Sequence, residues 1–286
     1  MEQAKRTIQD IRDSKTSGEK MVYMSVPDYT SAQWAEMSGV DVAVVGDSLA
    51  MISHGHANTI PATMDMMCMH AQAVRRGAPN TFVLGCMPYQ SYHSVDIALK
   101  NATRFMQESG CDAVKPQGGK GQADILQALV KSGIPTASHI GLTPHTVAMF
   151  GGFKIQGKTA ETAMTILQDA LAIQDAGCFM LEFEAVPAKI ATVISEQLEI
   201  PTIGIGAGGG TDGQILLCYD LLGVFTDFKP KFTKRYASLT EVAVKGIKEY
   251  VADVKGGTFP DEEHSYSVAE AEYEKFLELV EKRRQL

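Results

Sequence analysis

Ser38-Gly39-Val40-Asp41-Val42-Ala43-Val44-Val45-Gly46-Asp47-Ser48 holds the pattern from which the rest of the chain can be read. A helical segment stops at a glycine, a short apolar run follows, and the run ends in small and polar groups. Glycine just past a helix end tolerates the left-handed conformation that closes the last turn. Val42–Val45 is apolar on both faces, as a strand buried in a parallel sheet must be. The same order of parts returns at Gly77 before Phe82–Leu84, at Ser109-Gly110 before Ala113-Val114, at Ser132-Gly133 before Ile134 and at Ala176-Gly177 before Phe179–Leu181. Between these glycines the apolar residues repeat at helical spacing. Val95, Ala98, Leu99, Ala102, Phe105 and Met106 form one stripe over 94–109, and Ile125, Leu126, Leu129 and Val130 form another over 122–132.

Eight strands are read at 21–26, 42–46, 81–87, 113–117, 134–140, 179–184, 201–206 and 222–226. Eight strand–helix units in about 250 residues is the arithmetic of an α/β (β/α)8 TIM barrel. A doubly wound open sheet is the alternative that periodicity leaves open. No Pro/Ser-rich linker divides the chain, which reads as a single barrel domain over 1–286 with a charged helical tail from about 267 to 286. Phe276, Leu277 and Val280 share one side of that tail, a face to dock on the barrel or on a neighbouring subunit.

Composition narrows the function classes. The 286 residues carry 26 basic and 34 acidic side chains, a formal charge of −8, with no Lys/Arg block. That balance argues against nucleic acid or an anionic membrane as partner. An anionic substrate would have to be drawn in by local cations and backbone amides. No apolar run approaches the roughly 18 residues of a membrane span, and Met1 to Lys20 is polar with no secretory core. The five cysteines (Cys68, Cys86, Cys111, Cys178 and Cys218) are odd in number and contain no C-x-x-C pair. This fits a reducing cytoplasm better than a disulfide framework or structural zinc.

In a barrel of this kind, reacting groups stand at the C-terminal ends of the strands. Those ends read Gly46-Asp47-Ser48, Gly85-Cys86-Met87-Pro88, Lys115-Pro116-Gln117, His139-Ile140-Gly141, Glu182-Phe183-Glu184 and Gly204 to Gly208. Each has a plainer reading beside the functional one. Asp47 is well placed to cap a helix, Cys86 to fill a small apolar space, Lys115 to sit solvated on a rim, and His139 to be a satisfied structural histidine. Glu182 and Glu184 share strand parity, so both carboxylates point the same way, which is costly unless they are paired or used. The glycines over 204–210 resemble an anion cradle but lack the Lys-Ser/Thr of a P-loop. His54 and His56 flank Gly55 as possible metal ligands or as loop-ordering residues. The glycine-hinged connection from His139 to Lys158 is long enough to be a substrate loop, with Lys154 and Lys158 as cations.

Several runs resemble the ketopantoate hydroxymethyltransferase (3-methyl-2-oxobutanoate hydroxymethyltransferase) family. They are Val45-Gly46-Asp47-Ser48-Leu49, Arg75-Arg76-Gly77-Ala78-Pro79, His139-Ile140-Gly141-Leu142-Thr143-Pro144 and Gly151-Gly152-Phe153-Lys154-Ile155-Gln156-Gly157-Lys158. Ile200 to Gly208, Asp212-Gly213-Gln214, Pro230-Lys231-Phe232 and Glu263-His264-Ser265 continue the match, which spans roughly 5–266. The resemblance implies a barrel of the phosphoenolpyruvate/pyruvate superfamily and a homo-oligomer, usually a decamer. It implies transfer of a hydroxymethyl group from 5,10-methylenetetrahydrofolate to 3-methyl-2-oxobutanoate, a 2-oxo acid, through an enolate in pantothenate biosynthesis. Mg²⁺, or another divalent metal, would chelate the acid and a nearby base would remove its proton. By position Asp47 matches the first metal carboxylate, Ser48 a group on the substrate carboxylate, and Lys115 the lysine that offsets enolate charge. His139 matches the histidine ending strand 5, and Glu184 the expected general base.

Three positions depart from that family's pattern. Cys86 stands where the second metal aspartate is expected, Gln117 where a glutamate near a metal-bound water is expected, and Ser25-Val26-Pro27-Asp28 replaces a T-A-Y-D run. The pocket then has about two fewer negative charges, unless Glu182 compensates. A softer metal on Cys86, or substrate binding through Cys86, Gln117 and Lys115 without metal, would both follow. Cys86 as a nucleophile beside His139, and a Schiff base at Lys115, are further routes. The competing functions are a lyase or aldolase acting on another 2-oxo acid and a non-catalytic metabolite-binding paralogue.

Overall fold

The computed structural model describes residues 5–284. The chain, read above as one domain, divides into two compact units, one ending at Ala237 and one beginning at Ser238. Met1–Ala4 and Gln285–Leu286, which the expected domain and tail include, lie outside the described residues.

The first unit is a barrel. Its strands are β1 (Met21–Ser25), β2 (Val42–Val45), β3 (Phe82–Cys86), β4 (Ala113–Lys115), β5 (Ser138–Gly141), β6 (Leu181–Glu184), β7 (Thr202–Ile205) and β8 (Gly213–Leu217). They pair in parallel in the order β4-β3-β2-β1-β8-β7-β6-β5. Isolated parallel bridges from Val114 to Thr136 and from Gln117 to His139 bring the two ends together, so the sheet is nearly closed. An open doubly wound sheet has no such contact between its outermost strands.

Local chemistry accounts for the alternation. Thr7, Asp28, Thr63, Ser94 and Thr159 each accept a hydrogen bond from a first-turn amide and so fix where a helix starts. The stripe expected over 94–109 is the helix Val95–Gln107, which buries Ala98, Ala102 and Phe105. All of β2, β3 and β7 is buried, as their unbroken apolar runs require. Gly85 lets the Phe105 ring lie directly on β3, since a Cβ there would come within 2.8 Å of it.

The eighth strand differs from the reading at 222–226. That stretch follows a short helix, Cys218–Leu221, and Gly223 turns the chain at φ +65°. β8 is instead Gly213–Leu217, paired along β1 from Met21 to Ser25. It lacks the apolar signature because Gln214 is exposed and its first residue must be glycine. A Cβ on Gly213 would sit 2.5 Å from the Met21 carbonyl oxygen.

The second unit holds two helices, Leu239–Gly256 and Glu270–Arg284; the latter is the expected tail helix. Gly257 at φ +70° ends the first, and Phe259 packs edge-on against Tyr250 with ring centroids 5.7 Å apart. No helix among the described residues is long and apolar enough to cross a membrane.

Candidate active site

At the C-terminal ends of the strands the barrel opens into a cavity of about 700 Å³. Asp47, Ser48, Cys86, Lys115, Gln117, His139 and Glu184 all line it, so every residue singled out in the sequence for the site converges there. Glu182 and Ser25 join them. Above this polar floor the walls are apolar, with Phe153, Ile155, Phe225, Phe228 and Phe232. Lys154, Lys158 and Lys231 also line the cavity and supply local positive charge that the chain as a whole lacks.

Two buried pairs organise the floor. Lys115 is hydrogen-bonded and ion-paired to Glu182, with both side chains almost fully buried. Burial works against the Lys115 ammonium, but the Glu182 carboxylate beside it outweighs that and raises its pKa. Burial likewise pushes Glu182 up, while Lys115 and His139 more than reverse the effect and hold it below the usual carboxylate range. Glu182 is therefore committed to Lys115 and does not replace the acid missing at Cys86. A protonated, paired Lys115 is also unsuited to a Schiff base, which needs a free amine.

The second pair was not foreseen. His145 Nε2 lies 2.8 Å from Asp47 Oδ2, and His145 Nδ1 lies 2.7 Å from the Tyr92 hydroxyl. Gln117 ties both together: its Nε2 donates to Asp47 Oδ2 at 3.4 Å, and its Oε1 accepts from the His145 backbone N–H at 3.2 Å. The Gln117 N–H donates to the Tyr92 oxygen at 3.2 Å. One proton assignment satisfies all four groups: Tyr92 O–H donates to Nδ1 and His145 Nε2–H donates to the Asp47 carboxylate. Burial pushes Asp47 up, but the His145 bond and the positive neighbours prevail and keep its carboxyl below the ordinary range. His145 escapes the sequence reading because a 3-10 turn, Pro144–Thr146, carries it back from the end of β5 to β2.

Glu184 is the acid left open. Its side chain is 16% exposed, against 5% for Glu182. His139 Nε2 is 3.1 Å from Glu184 Oε2, yet the approach lacks hydrogen-bond geometry and Nε2 has no hydrogen-bond partner in the fold. A buried, unsatisfied ring nitrogen beside an open carboxylate is a polar position waiting for a ligand. The backbone is shaped to present Glu184. Gly141 at φ +92° passes so close that a Cβ would meet the Glu184 carbonyl oxygen at 2.4 Å, and Ala185 takes a positive φ of 49°. Leu142 N–H bonds to Glu184 O and Gln156 N–H to Ala185 O, so the long 141–158 connection is pinned to this strand end.

On the other side of the floor, Ser25 and Ser48 face each other across Gly46. A Cβ there would come within 2.8 Å of Ser25 Oγ and 3.0 Å of Ser48 Oγ. Ser48 precedes the short helix Leu49–Ile52 without a side-chain capping bond. Both hydroxyls are thus available beside the mouth of the pocket. The glycines over 204–210 do a different job from the anion cradle considered above. Cβ atoms at Gly206, Gly208 and Gly210 would strike Phe232, Ala188 and Thr192, so close packing accounts for them. His54 is paired with His70, whose Nδ1 reaches the Pro27 carbonyl, and His56 does not join a ligand cluster.

The floor is poor in donors for a divalent metal. Among the described residues no group of three or more His, Cys, Asp or Glu side chains has the geometry to hold one. Asp47 Oδ2 already accepts from His145 and Gln117, which leaves its Oδ1 open, while Glu182 belongs to Lys115 and Cys86 offers a soft sulfur. Mg²⁺ asks for several hard oxygen donors, so this donor set does not fit it. Nor does the thiol bind a softer ion readily. Burial pushes Cys86 up to about 12, with Lys115 pulling weakly the other way. At pH 8 the neutral thiol is the dominant form. Iodoacetamide at that pH is therefore expected to leave Cys86 unmodified in the folded protein, read by peptide mass spectrometry against a denatured control. Alkylation at the rate of a free thiol would revive the nucleophile reading.

The chain has clear relatives. The family model described as ketopantoate hydroxymethyltransferase matches residues 5–262. A 3-methyl-2-oxobutanoate hydroxymethyltransferase 1 from Methylibium petroleiphilum is 80% identical, covering 99% of this chain and 96% of its own length. The 3-methyl-2-oxobutanoate hydroxymethyltransferase of Thermus thermophilus is 44% identical over 92% of this chain and all of its own. Among solved structures, a phosphonopyruvate hydrolase superposes with TM-score 0.60 at 11% identity, covering 99% of this chain and 97% of its own. A 2,3-dimethylmalate lyase of the PEP mutase/isocitrate lyase superfamily gives 0.57 at 14%, covering 90% and 88%. At such identities these two speak for the barrel alone.

Proposed function

The chain belongs to the ketopantoate hydroxymethyltransferase family, and from that premise we propose that it transfers a hydroxymethyl group from 5,10-methylenetetrahydrofolate to 3-methyl-2-oxobutanoate through an enolate. The observation that carries this reading is the placement of Glu184. Its side chain is more exposed than those of Asp47 and Glu182, and it lies beside an unsatisfied His139, two residues along β6 from the Glu182 that pairs with Lys115. An enolisation site needs a base exposed to the substrate and a fixed positive charge for the oxyanion.

The steps follow from the residues. The acid's carboxylate takes hydrogen bonds from Ser25 and Ser48, with the rim lysines drawing it in. The Glu184 carboxylate removes the proton from C3. The C–H electron pair becomes the C2–C3 double bond, and the carbonyl π pair moves onto oxygen. Lys115 has three hydrogens, of which Glu182 takes one and Cys86 lies near another, so one remains for that oxygen. Water adds to the methylene carbon of the co-substrate and its two C–N bonds break, releasing tetrahydrofolate and a formaldehyde-level carbon. The C2–C3 electron pair of the enolate attacks that carbon, its C=O π pair moves onto oxygen, and the alkoxide takes the proton that Glu184 removed. The apolar walls, rich in phenylalanine, suit a flat heterocyclic co-substrate above the acid.

Purified protein supplied with both substrates is expected to form ketopantoate, followed by mass spectrometry. Turnover of a different 2-oxo acid with none of this product would reassign the acceptor. The expected cytoplasmic location and homo-oligomeric state belong to the same reading and are checked by fractionation and light scattering.

A further inference from the structure

The arrangement around Asp47 separates this site from one built on a divalent cation. A carboxylate that anchors a metal keeps its lone pairs for the ion and for second-shell donors that orient it. Asp47 accepts a side-chain hydrogen bond from His145 at 2.8 Å and another from Gln117, both on the same oxygen, Oδ2, so a single oxygen, Oδ1, is left for an ion. His145 is 8% exposed and is itself locked by Tyr92, so it does not swing aside without breaking a satisfied buried network. The remaining neighbours are Cys86, a soft donor, and Gln117, whose carbonyl oxygen is taken by the His145 N–H. Meanwhile the buried ammonium of Lys115 is held where β4 and β6 approach across the barrel.

We propose that this site binds and enolises its 2-oxo acid without a divalent cation: with His145 holding one oxygen of Asp47, Glu182 paired to Lys115 and a thiol at Cys86, the floor offers too few hard oxygens to hold one, and Lys115 supplies the positive charge beside the keto oxygen. This rests on the 2-oxo acid reading above for the identity of the ligand, but not for the exclusion of the metal. The electron balance is that of the enolisation already written: the proton goes to Glu184 and the charge to the keto oxygen. No oxidant or further co-reactant enters. His145 is a positioning residue here, since it acts by holding one oxygen of Asp47.

The direct probe is Mn²⁺, whose free-ion electron paramagnetic resonance signal falls when it binds. Wild-type protein is expected to leave the signal unchanged at equimolar Mn²⁺, with or without 3-methyl-2-oxobutanoate; stoichiometric quenching in either case overturns the proposal. Two variants isolate His145. Cys86→Asp/Gln117→Glu restores acids but keeps the imidazole on Asp47, whereas adding His145→Gln removes it. The triple variant is expected to bind Mn²⁺ at least about tenfold more tightly than the double. Equal binding by the two, or none by either, overturns the role of His145. Exchange of the C3 proton of 3-methyl-2-oxobutanoate in D₂O, which needs no folate, gives a second readout on wild type alone. Equal rates in EDTA and in Mg²⁺ are expected. A rate lost in EDTA and restored by Mg²⁺ contradicts the proposal. Absence of exchange under both conditions would instead remove the oxo-acid reading, while the Mn²⁺ result still decides whether a cation binds.

Discussion

Glu184→Gln is expected to lower C3 proton exchange in 3-methyl-2-oxobutanoate by about 10²- to 10⁴-fold, the range in which a positioned general base contributes. The amide keeps the shape of the side chain and both hydrogen-bonding positions but cannot accept the proton. Because Glu184 is partly open and its neighbour His139 makes no hydrogen bond to it, the change disturbs no buried network. Binding of the acid, followed by calorimetry, should stay within a few-fold of wild type, since Ser25, Ser48 and Lys115 are untouched. A variant that binds and exchanges normally would remove Glu184 as base, and His139 would be the next group to test. Loss of binding together with exchange would place Glu184 in substrate recognition instead.

Lys115→Met should be the most destabilising single change on the floor. It leaves the Glu182 carboxylate almost fully buried without its partner. Breaking a buried pair in this way costs about 3–5 kcal/mol, because the survivor keeps its desolvation penalty and loses its compensation. For a unit of this size each kcal/mol moves the melting temperature by roughly 2–4 °C. A fall of roughly 6–20 °C in thermal unfolding follows. The double change Lys115→Met/Glu182→Leu removes both charges and is expected to recover most of that loss, yet to remain without proton exchange. Stability and activity thus separate. A single Lys115→Met protein that melts within a degree or two of wild type would mean that Glu182 is solvated or neutral. A double variant that still exchanges the proton would show that Lys115 is not the charge facing the enolate.

Most of the barrel was legible because its signals are local. A glycine after a helical stripe and a run of apolar residues identify a buried strand whatever surrounds it, and β1 to β7 lie where those runs are. β8 is the exception for a physical reason. Gly213 is dictated by the approach of the β1 backbone, and Gln214 faces outward, so neither carries an apolar signal. The short apolar run at 222–226 drew the reading away from it. The division after Ala237 left no mark in composition either.

The site was legible to the extent that strand parity and strand ends determine it. Asp47, Cys86, Lys115, His139 and Glu184 converge because each lies at or near the C-terminal end of a strand of one nearly closed sheet. What they do to one another was not legible. Glu182 read as an acid that could compensate for the one missing at Cys86, and only the distance across the barrel gives it to Lys115. His145 and Tyr92 sit in connections whose paths depend on a 3-10 turn and on the closure between β4 and β5. No spacing rule brings residue 145 to residue 47. Cys86 and Gln117 depart from the family pattern and are visible as such, whereas His145, four residues past the end of β5, carries no mark of its bond to Asp47.

A crystal structure grown with 3-methyl-2-oxobutanoate and Mg²⁺ together tests the whole arrangement most directly. The acid should lie with its carboxylate between Ser25 and Ser48, its keto oxygen toward Lys115 and C3 toward Glu184, with the imidazole still bonded to Asp47 and no cation between them. An octahedral ion on Asp47 with the histidine displaced, or an acid bound away from Glu184, would contradict it.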